Sequence, residues 1–138
     1  MIRFSLVIAA GLAAAAVVLP SALAGMGPLP LTTVHSAKLG TVVTTHEHLA
    51  LYTWNRERDF KVRCTGSCAK QWPPLLVAKG ARVPMHVAGV MGDLGSVVRP
   101  DGARQLTLDR RPLYTYSGDG PGEVKCNGVD GWFVVRVH

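Results

Sequence analysis

The first part of the chain has almost no charge. Arg3 is the only charged residue before Lys38, and a nearly unbroken apolar run covers residues 5–19. A proline and small residues follow, ending in Ala22-Leu23-Ala24. This order of charge, apolar run and Ala-x-Ala predicts a secretory signal peptide over residues 1–24, cleaved after Ala24. The run is shorter than the roughly 20 residues that cross a bilayer, which disfavours an uncleaved anchor.

A cysteine directly after the small residues is also missing, so the sequence offers no lipid-attachment site there. We therefore expect a periplasmic or secreted protein that is soluble after cleavage and has no further membrane span. Long stretches of helix-forming residues are absent as well, whereas the chain contains 15 glycines and 9 prolines. Such a composition disfavours a helical bundle and favours short strands joined by turns.

Acidic residues are few: 9 against 15 lysines and arginines, for a net charge of +6. A basic chain can bind nucleic acid, but an exported protein meets little of it, and the basic residues are not interleaved with aromatics. We therefore expect no nucleic-acid partner. A solvated surface, or weak attraction to anionic envelope polymers or lipids, accounts for the charge.

An internal repeat is the most informative feature that is present. Residues 62 positions apart match without a gap from residue 40 to residue 66, and Trp72 and Trp132 match two positions out of step. Two copies of a unit of roughly 50 residues follow from this self-similarity. The matching pairs are Gly40/Gly102, Thr45/Thr107, Tyr52/Tyr114, Trp54/Tyr116, Glu57/Asp119, Cys64/Cys126 and Gly66/Gly128.

Each copy has the pattern of short strands and turns. A helical turn over 67–71, capped by Ser67, must end before Pro73-Pro74. Neither half has enough strands for a stable sheet alone, so the prediction is a mostly β, single compact domain with pseudo-two-fold character. Its predicted parts are an extended arm (25–37) and a domain (38–138) with repeats at about 39–76 and 94–138. Strands are predicted at 39–45, 49–54, 96–99, 105–108, 112–116 and 132–137.

One motif occurs in both copies. It is Tyr-x-aromatic-x-x-acid, as Tyr52-x-Trp54-x-x-Glu57 and Tyr114-x-Tyr116-x-x-Asp119. This motif resembles the bacterial "secreted repeat of unknown function" family of predicted lipoproteins. The resemblance also rests on the segment Cys64–Leu75, which contains Trp72, Pro73 and Pro74, and on Trp132. The resemblance covers about residues 39–137 and implies export and a β-rich repeat fold, without an established reaction. Many relatives carry a lipid-anchoring cysteine that is absent here.

Three cysteines in an exported chain allow at most one internal disulfide. The residues alone leave three pairings open: Cys64–Cys68, Cys64–Cys126 and Cys68–Cys126. The family resemblance favours Cys64–Cys68, which would staple the loop into the short helix. Cys126 lies where relatives more often have a small residue, and no histidine stands beside it to act as a base.

His46-Glu47-His48 is the best metal candidate. Two imidazoles two residues apart on a strand share a face, and exported proteins meet copper and zinc. The alternative is a polar turn between two strands. Because closed sites need about four ligands, the pair would require others, such as Met85, His86 and Met91.

No catalytic constellation is visible, and the chain is expected not to be an enzyme. The paired aromatics Tyr52/Trp54 and Tyr114/Tyr116 could stack on a ring-shaped ligand, although repeated aromatics more often form core. The sequence thus predicts an exported, non-catalytic domain that binds an envelope component. The alternative is a small copper-, zinc- or redox-linked module.

Overall fold

The computed structural model describes residues 29–137; the predicted signal peptide, the cleavage position and residues 25–28 of the predicted arm lie outside this range. Strands dominate, and one helix of five residues occupies the position predicted for it. The mostly β fold class is confirmed. The elements are β1 Thr32–Ser36, β2 Gly40–Thr44, β3 Tyr52–Trp54, α1 Ser67–Gln71, β4 Leu76–Val77, β5 Leu94–Val98, β6 Arg104–Leu108, β7 Arg111–Pro112, β8 Trp132–Val134 and β9 Arg136–Val137.

The strands form three antiparallel sheets. Two of them have the same plan: a hairpin whose second strand also pairs with a short strand from the other half of the chain. One is β1-β2-β9 and the other is β5-β6-β4, with β7 added on β6. The third sheet pairs β3 with β8. Since the last strand of each half completes the sheet of the other half, the two halves are interlocked and share one core.

Backbone hydrogen bonds repeat between the halves. Val43 N–H donates to the Val135 carbonyl at 2.9 Å, and Leu106 N–H donates to the Leu75 carbonyl at 2.8 Å. Tyr52 N–H donates to the Tyr114 carbonyl at 2.8 Å, while Tyr114 N–H returns the bond to Tyr52 at 3.0 Å. Because this last pair is its own counterpart, it lies on the pseudo-two-fold axis. These contacts give the single domain its pseudo-two-fold character.

Strand β1 belongs to the region predicted as an arm. Its residues 32–36 are extended, as expected, but they pair with β2 along its whole length. β5, which begins 62 residues later, has the same place against β6. The first repeat therefore starts at β1 rather than near residue 39. Thr33 pairs with Val43 as Ser96 pairs with Leu106, so the two strands are equivalent at an offset of 63 residues rather than 62. Sequence comparison missed this because, in that register, Val34 and Val97 are the one identical pair within the two strands.

The short helix arises from a length difference between the repeats. Five residues, 67–71, separate Gly66 from Trp72, whereas three, 129–131, separate Gly128 from Trp132. The two extra residues complete one helical turn, and Trp72 N–H closes it on the Cys68 carbonyl at 2.8 Å. The predicted cap by Ser67 is wrong, because Gly66 occupies the N-cap position and no side chain bonds the helix end.

Two groups of buried side chains make up the core. One is aliphatic and draws residues from both larger sheets and from the segments beside them; it includes Leu51, Leu106 and Leu113. The other is aromatic and lies around the pseudo-two-fold axis; it includes Tyr52, Tyr114, Trp72 and Trp132, with Cys64. The residues of the repeated motif are therefore concentrated in the second group, where the two repeats meet.

Candidate functional site

The tyrosines and acids of the repeated motif bond across the repeats. The Tyr52 hydroxyl donates to Asp119 Oδ2 at 2.6 Å. The Tyr114 hydroxyl donates to Glu57 Oε1 at 2.9 Å. Each tyrosine therefore finds the acid of the other copy, and the two bonds are equivalent under the 62-residue offset. Both tyrosines have no exposed surface.

Each acid also fixes the loop that follows it. Glu57 Oε1 accepts the backbone N–H groups of Arg63 at 2.7 Å and Cys64 at 2.8 Å. In the second repeat, Asp119 Oδ1 accepts the Lys125 N–H at 3.0 Å. Buried polar groups need such partners, because an unsatisfied one costs about 1–3 kcal/mol. The acids of the motif are therefore structural anchors enclosed in the core and lack access to a substrate.

A buried arginine adds an asymmetric element that the sequence analysis missed. Arg99 Nη1 donates to Gln105 Oε1 at 2.6 Å, and its Nη2 donates to the Cys64 carbonyl at 2.8 Å. Gln105 in turn donates to the Leu113 carbonyl at 2.7 Å. Arg99 bonds Ala103 at the place where Ser36 pairs with Gly40 in the first repeat, so the equivalent residue is a serine and the repeat comparison gave no signal for the arginine.

The same contacts hold both buried tyrosines in their neutral form. Burial raises the pKa of Tyr52, and the bond to Asp119 raises it further. Burial and the charge of Glu57 likewise raise the pKa of Tyr114. A phenolate in either place would be poorly solvated and would lie against a carboxylate.

These raised pKa values predict alkaline unfolding. Above about pH 10 the tyrosines of the unfolded chain ionise while Tyr52 and Tyr114 in the native protein stay protonated. The unfolded state then binds fewer protons, so stability falls as pH rises above about 10. Melting temperatures and phenolate absorbance across this range should show tyrosines ionising together with unfolding. The prediction would be contradicted if phenolate absorbance appeared in the still-folded protein at the same pH as in the denaturant-unfolded chain.

Aromatic rings form a column across the pseudo-two-fold axis. Trp72 and Trp132 stack at its centre, with ring centroids 3.9 Å apart and planes 6° from parallel. Trp54 stacks outside Trp132 at 5.1 Å, and Tyr116 lies outside Trp72 at 4.8 Å. The buried tyrosines meet the central pair edge-on: Tyr52 contacts Trp72 and Tyr114 contacts Trp132. The expectation that the motif aromatics form core therefore fits the two tyrosines, whereas the column ends are half-buried.

The two ends of the column differ. At one end the Arg56 guanidinium lies 5.4 Å above the Trp54 ring. The position equivalent to Arg56 is Gly118, where an added Cβ would lie 2.6 Å from Tyr116 Cε1. Glycine therefore lets the Tyr116 ring lie against the backbone and leaves no side chain there to cover it.

A cleft of about 480 Å³ opens at the Tyr116 end. Helix α1 forms one wall and the shorter equivalent segment, residues 126–132, forms the other. Its volume lies in the range of small-molecule sites, and aromatic surface with a few polar groups is typical of them. Its lining includes Ser67, Gln71, Trp72, Tyr116, Asp130 and Trp132.

The cysteines lie beside this cleft. Cys64 and Cys68 form a disulfide with a Cα–Cα distance of 5.2 Å, as the family resemblance implied. Cys126 is a free, half-buried thiol that lines the cleft with Cys68. Its thiol raises the pKa of the Tyr116 hydroxyl. Beyond that contact no base or reactive partner is evident for it.

Removing the disulfide should lower stability moderately. For a loop of five residues, the loop-entropy relation gives about 2 kcal/mol. We expect Cys64→Ala/Cys68→Ala to lose about that much in denaturant unfolding, while Cys126→Ser stays near wild type. Non-reducing peptide mapping should recover the Cys64–Cys68 link; a Cys64–Cys126 peptide would contradict the pairing.

His46 and His48 lie in an exposed turn between β2 and β3. The Thr45 N–H bond to the Leu49 carbonyl closes this turn at 2.9 Å. His46 Nε2 lies 3.2 Å from the Leu31 carbonyl. Within residues 29–137, His, Cys, Asp and Glu side chains nowhere converge in groups of three or more that could hold a metal ion. Copper or zinc binding by His46 and His48 stays a prediction.

Comparison with known proteins identifies the second repeat. Residues 95–136 match the family described as a secreted repeat of unknown function, which confirms the resemblance over that segment. No curated protein matches the chain, and no solved structure does. In the part of the chain that the structure describes, no helix has the length and apolar character needed to cross a membrane.

Proposed function

We propose that the protein is an exported, non-catalytic domain that binds a cell-envelope ligand in the cleft at the Tyr116 end of the aromatic column. The ligand class that this cleft suits best is a saccharide or another molecule with a flat ring face. The observation that carries the proposal is the cleft itself, which lies where the two repeats differ. Export is supported by the signal-peptide pattern of residues 1–24 and by the secreted family that residues 95–136 match.

The chemistry of the cleft supports this ligand class. Tyr116 offers a partly exposed ring, backed by the nearly buried Trp72 and Trp132. Exposed Gln71 and Asp130 lie on opposite walls and can bond hydroxyl or amide groups at the edge of a bound ring. An aromatic face combines apolar contact with directional preference, so it suits a ring that is polar at its rim.

The two-residue difference between the repeats also supports it. Helix α1 has no counterpart of equal length across the axis, and Gly118 replaces the arginine that covers the other end of the column. A purely structural duplication needs neither change. Together they make the two half-buried ends of the column differ: Arg56 lies over the Trp54 ring, whereas Tyr116 borders the cleft, which supports a single binding site per molecule.

Intrinsic fluorescence gives a direct test. The three tryptophans of the chain all lie in the column, so a ligand stacking at its open end should change their emission. Titration with soluble peptidoglycan fragments should give saturable binding by fluorescence and calorimetry. Tyr116→Ala should weaken this binding about tenfold or more, whereas Tyr116→Phe, which keeps the ring, should retain most of it.

Phe133→Ala is the matched control. Phe133 is 47% exposed and lies on the outer face of β8, away from the lining of the cleft. Its loss should leave binding unchanged. Binding that tolerates Tyr116→Ala, or the absence of saturable binding by ring-bearing envelope fragments, would refute the proposed site.

A further inference from the structure

Six of the thirteen lysine and arginine side chains that are not buried within residues 29–137 lie on two loops that contact each other. One is the loop of residues 55–63 and the other is the turn of residues 109–111. Phe60 N–H donates to the Arg110 carbonyl at 2.8 Å, and the Arg110 side chain pairs with Asp59. We call the side chains they present the basic surface: Arg56, Arg58, Phe60, Lys61, Arg63, Arg110 and Arg111.

Few acids offset these charges. Glu57 belongs to the same loop, but it is fully buried and its Oε1 is occupied by two backbone N–H groups and the Tyr114 hydroxyl. Asp109 bonds the Asp93 N–H at 2.8 Å, and Asp59 is paired with Arg110. The carboxylate that anchors the loop thus points inward, while the loop's cations point to solvent. The six cations exceed the two exposed acids, so the surface keeps a net positive charge.

An apolar ring lies among these cations. Phe60 is 44% exposed. It follows Asp59 in a pair of non-glycine residues with left-handed φ angles of 54° and 61°, a conformation that such residues rarely adopt. One edge of its ring lies against β5, because a Cβ at Gly95 would be 3.4 Å from Phe60 Cε1. The loop therefore exposes part of a phenyl ring on a segment that also carries Arg58, Lys61 and Arg63.

We propose that the basic surface docks the protein on an anionic phospholipid bilayer. Lysine and arginine are attracted to the negative surface of such membranes, and an exposed apolar ring gains free energy at the headgroup boundary. An acidic polysaccharide would satisfy the cations equally well, but it offers no apolar layer for Phe60. The occupant that uses both parts of the surface is the lipid bilayer. This site is separate from the Tyr116 cleft.

Vesicle co-sedimentation of the processed chain tests the docking. Binding to vesicles of phosphatidylcholine with phosphatidylglycerol is expected, with little binding to phosphatidylcholine alone and with weakening as salt screens the charges. Arg58→Glu/Lys61→Glu should reduce the partition coefficient at least about tenfold. Among residues 29–137, neither side chain takes part in a hydrogen bond or an ion pair. Phe60→Ser should reduce it severalfold without changing the net charge.

Lys38→Glu/Lys79→Glu is the matched control, because it changes the net charge equally. Lys79 follows β4, which pairs with the end of β6 opposite the 109–111 turn. The control should bind within about twofold of wild type, and all variants should keep the wild-type melting temperature. Equal weakening by the control would show a net-charge effect and overturn the site. Preference for soluble dextran sulfate over vesicles, unaffected by Phe60→Ser, would assign the surface to an acidic polymer.

Discussion

Tyr114→Ala is expected to lower the free energy of unfolding by about 3–5 kcal/mol, the range for truncating a large aromatic in a core. Its ring is fully buried and meets Trp132 edge-on, and its hydroxyl bonds Glu57. Tyr52→Ala should cost about as much, because its contacts are the counterparts of these. A domain of this size has about 5–15 kcal/mol in total. Denaturant unfolding should therefore show both variants poorly folded at 37 °C.

Phenylalanine variants separate the contribution of the ring to stability from that of the hydroxyl bond. Tyr114→Phe keeps the ring and removes only the hydroxyl bond, so about 1–2 kcal/mol should be lost. Tyr52→Phe should cost the same amount within error, since its bond to Asp119 is equivalent. A large difference between the two phenylalanine variants, or alanine variants that melt like wild type, would contradict the symmetric anchoring that the contacts describe.

Glu57→Ala is expected to destabilise the protein by about 3 kcal/mol or more. Its Oε1 is the acceptor for the N–H groups of Arg63 and Cys64 and for the Tyr114 hydroxyl. Alanine would leave three buried or part-buried donors without a partner, at about 1–3 kcal/mol each before any rearrangement. The loop that holds the basic surface would also lose its anchor. Chemical denaturation measures the loss, and proteolysis of the loop should become faster.

Glu57→Gln keeps a hydrogen-bond acceptor at this position and removes the negative charge, so it separates the two contributions to stability. The glutamine amide oxygen can accept the same bonds, so this variant should retain more stability than Glu57→Ala. Glu57→Asp introduces the acid that the second repeat carries at this position, Asp119, with a side chain one methylene shorter. If Glu57→Ala unfolded at the wild-type denaturant midpoint, the role of the carboxylate as an anchor would be wrong.

The sequence predicted the main features because they depend on local pattern and on identity between the copies. Tyr52 and Tyr114 stand out as rare residues in register. The helix at 67–71 was predicted from Ser67 and the prolines after it, and its position is right although the cap is not. The pairing of each tyrosine with the other copy's acid was not predictable. A repeat within a sequence indicates equivalent environments, but it does not tell whether a side chain finds its partner within its own copy or across the axis.

Other features depended on contacts between distant residues. β1 forms because β2 offers it an edge, and its one identity with β5, Val34 with Val97, is out of step with the 62-residue offset. Nothing in the sequence marked Arg99 as buried, because its partners, Gln105 and the Cys64 carbonyl, reach it only in the folded protein. The cleft arises from a two-residue length difference between the repeats and from Gly118. Neither feature predicts a cleft from the sequence, because the cleft depends on how the two repeats pack against each other.

Because Tyr52 bonds Asp119 and Tyr114 bonds Glu57, each repeat needs a second one, and this fold requires an even number of repeats. A single repeat on its own would have a tyrosine hydroxyl with no carboxylate to accept its hydrogen bond. It would also have an acid with no tyrosine to bond. Two identical single units could satisfy each other only as a homodimer. A gene encoding one unit would therefore yield a paired subunit, and fusion of two such genes would give the present arrangement within one chain. Chains that join two or four repeats should accordingly be stable. A chain of three repeats should leave one repeat without a partner for its tyrosine–acid bonds.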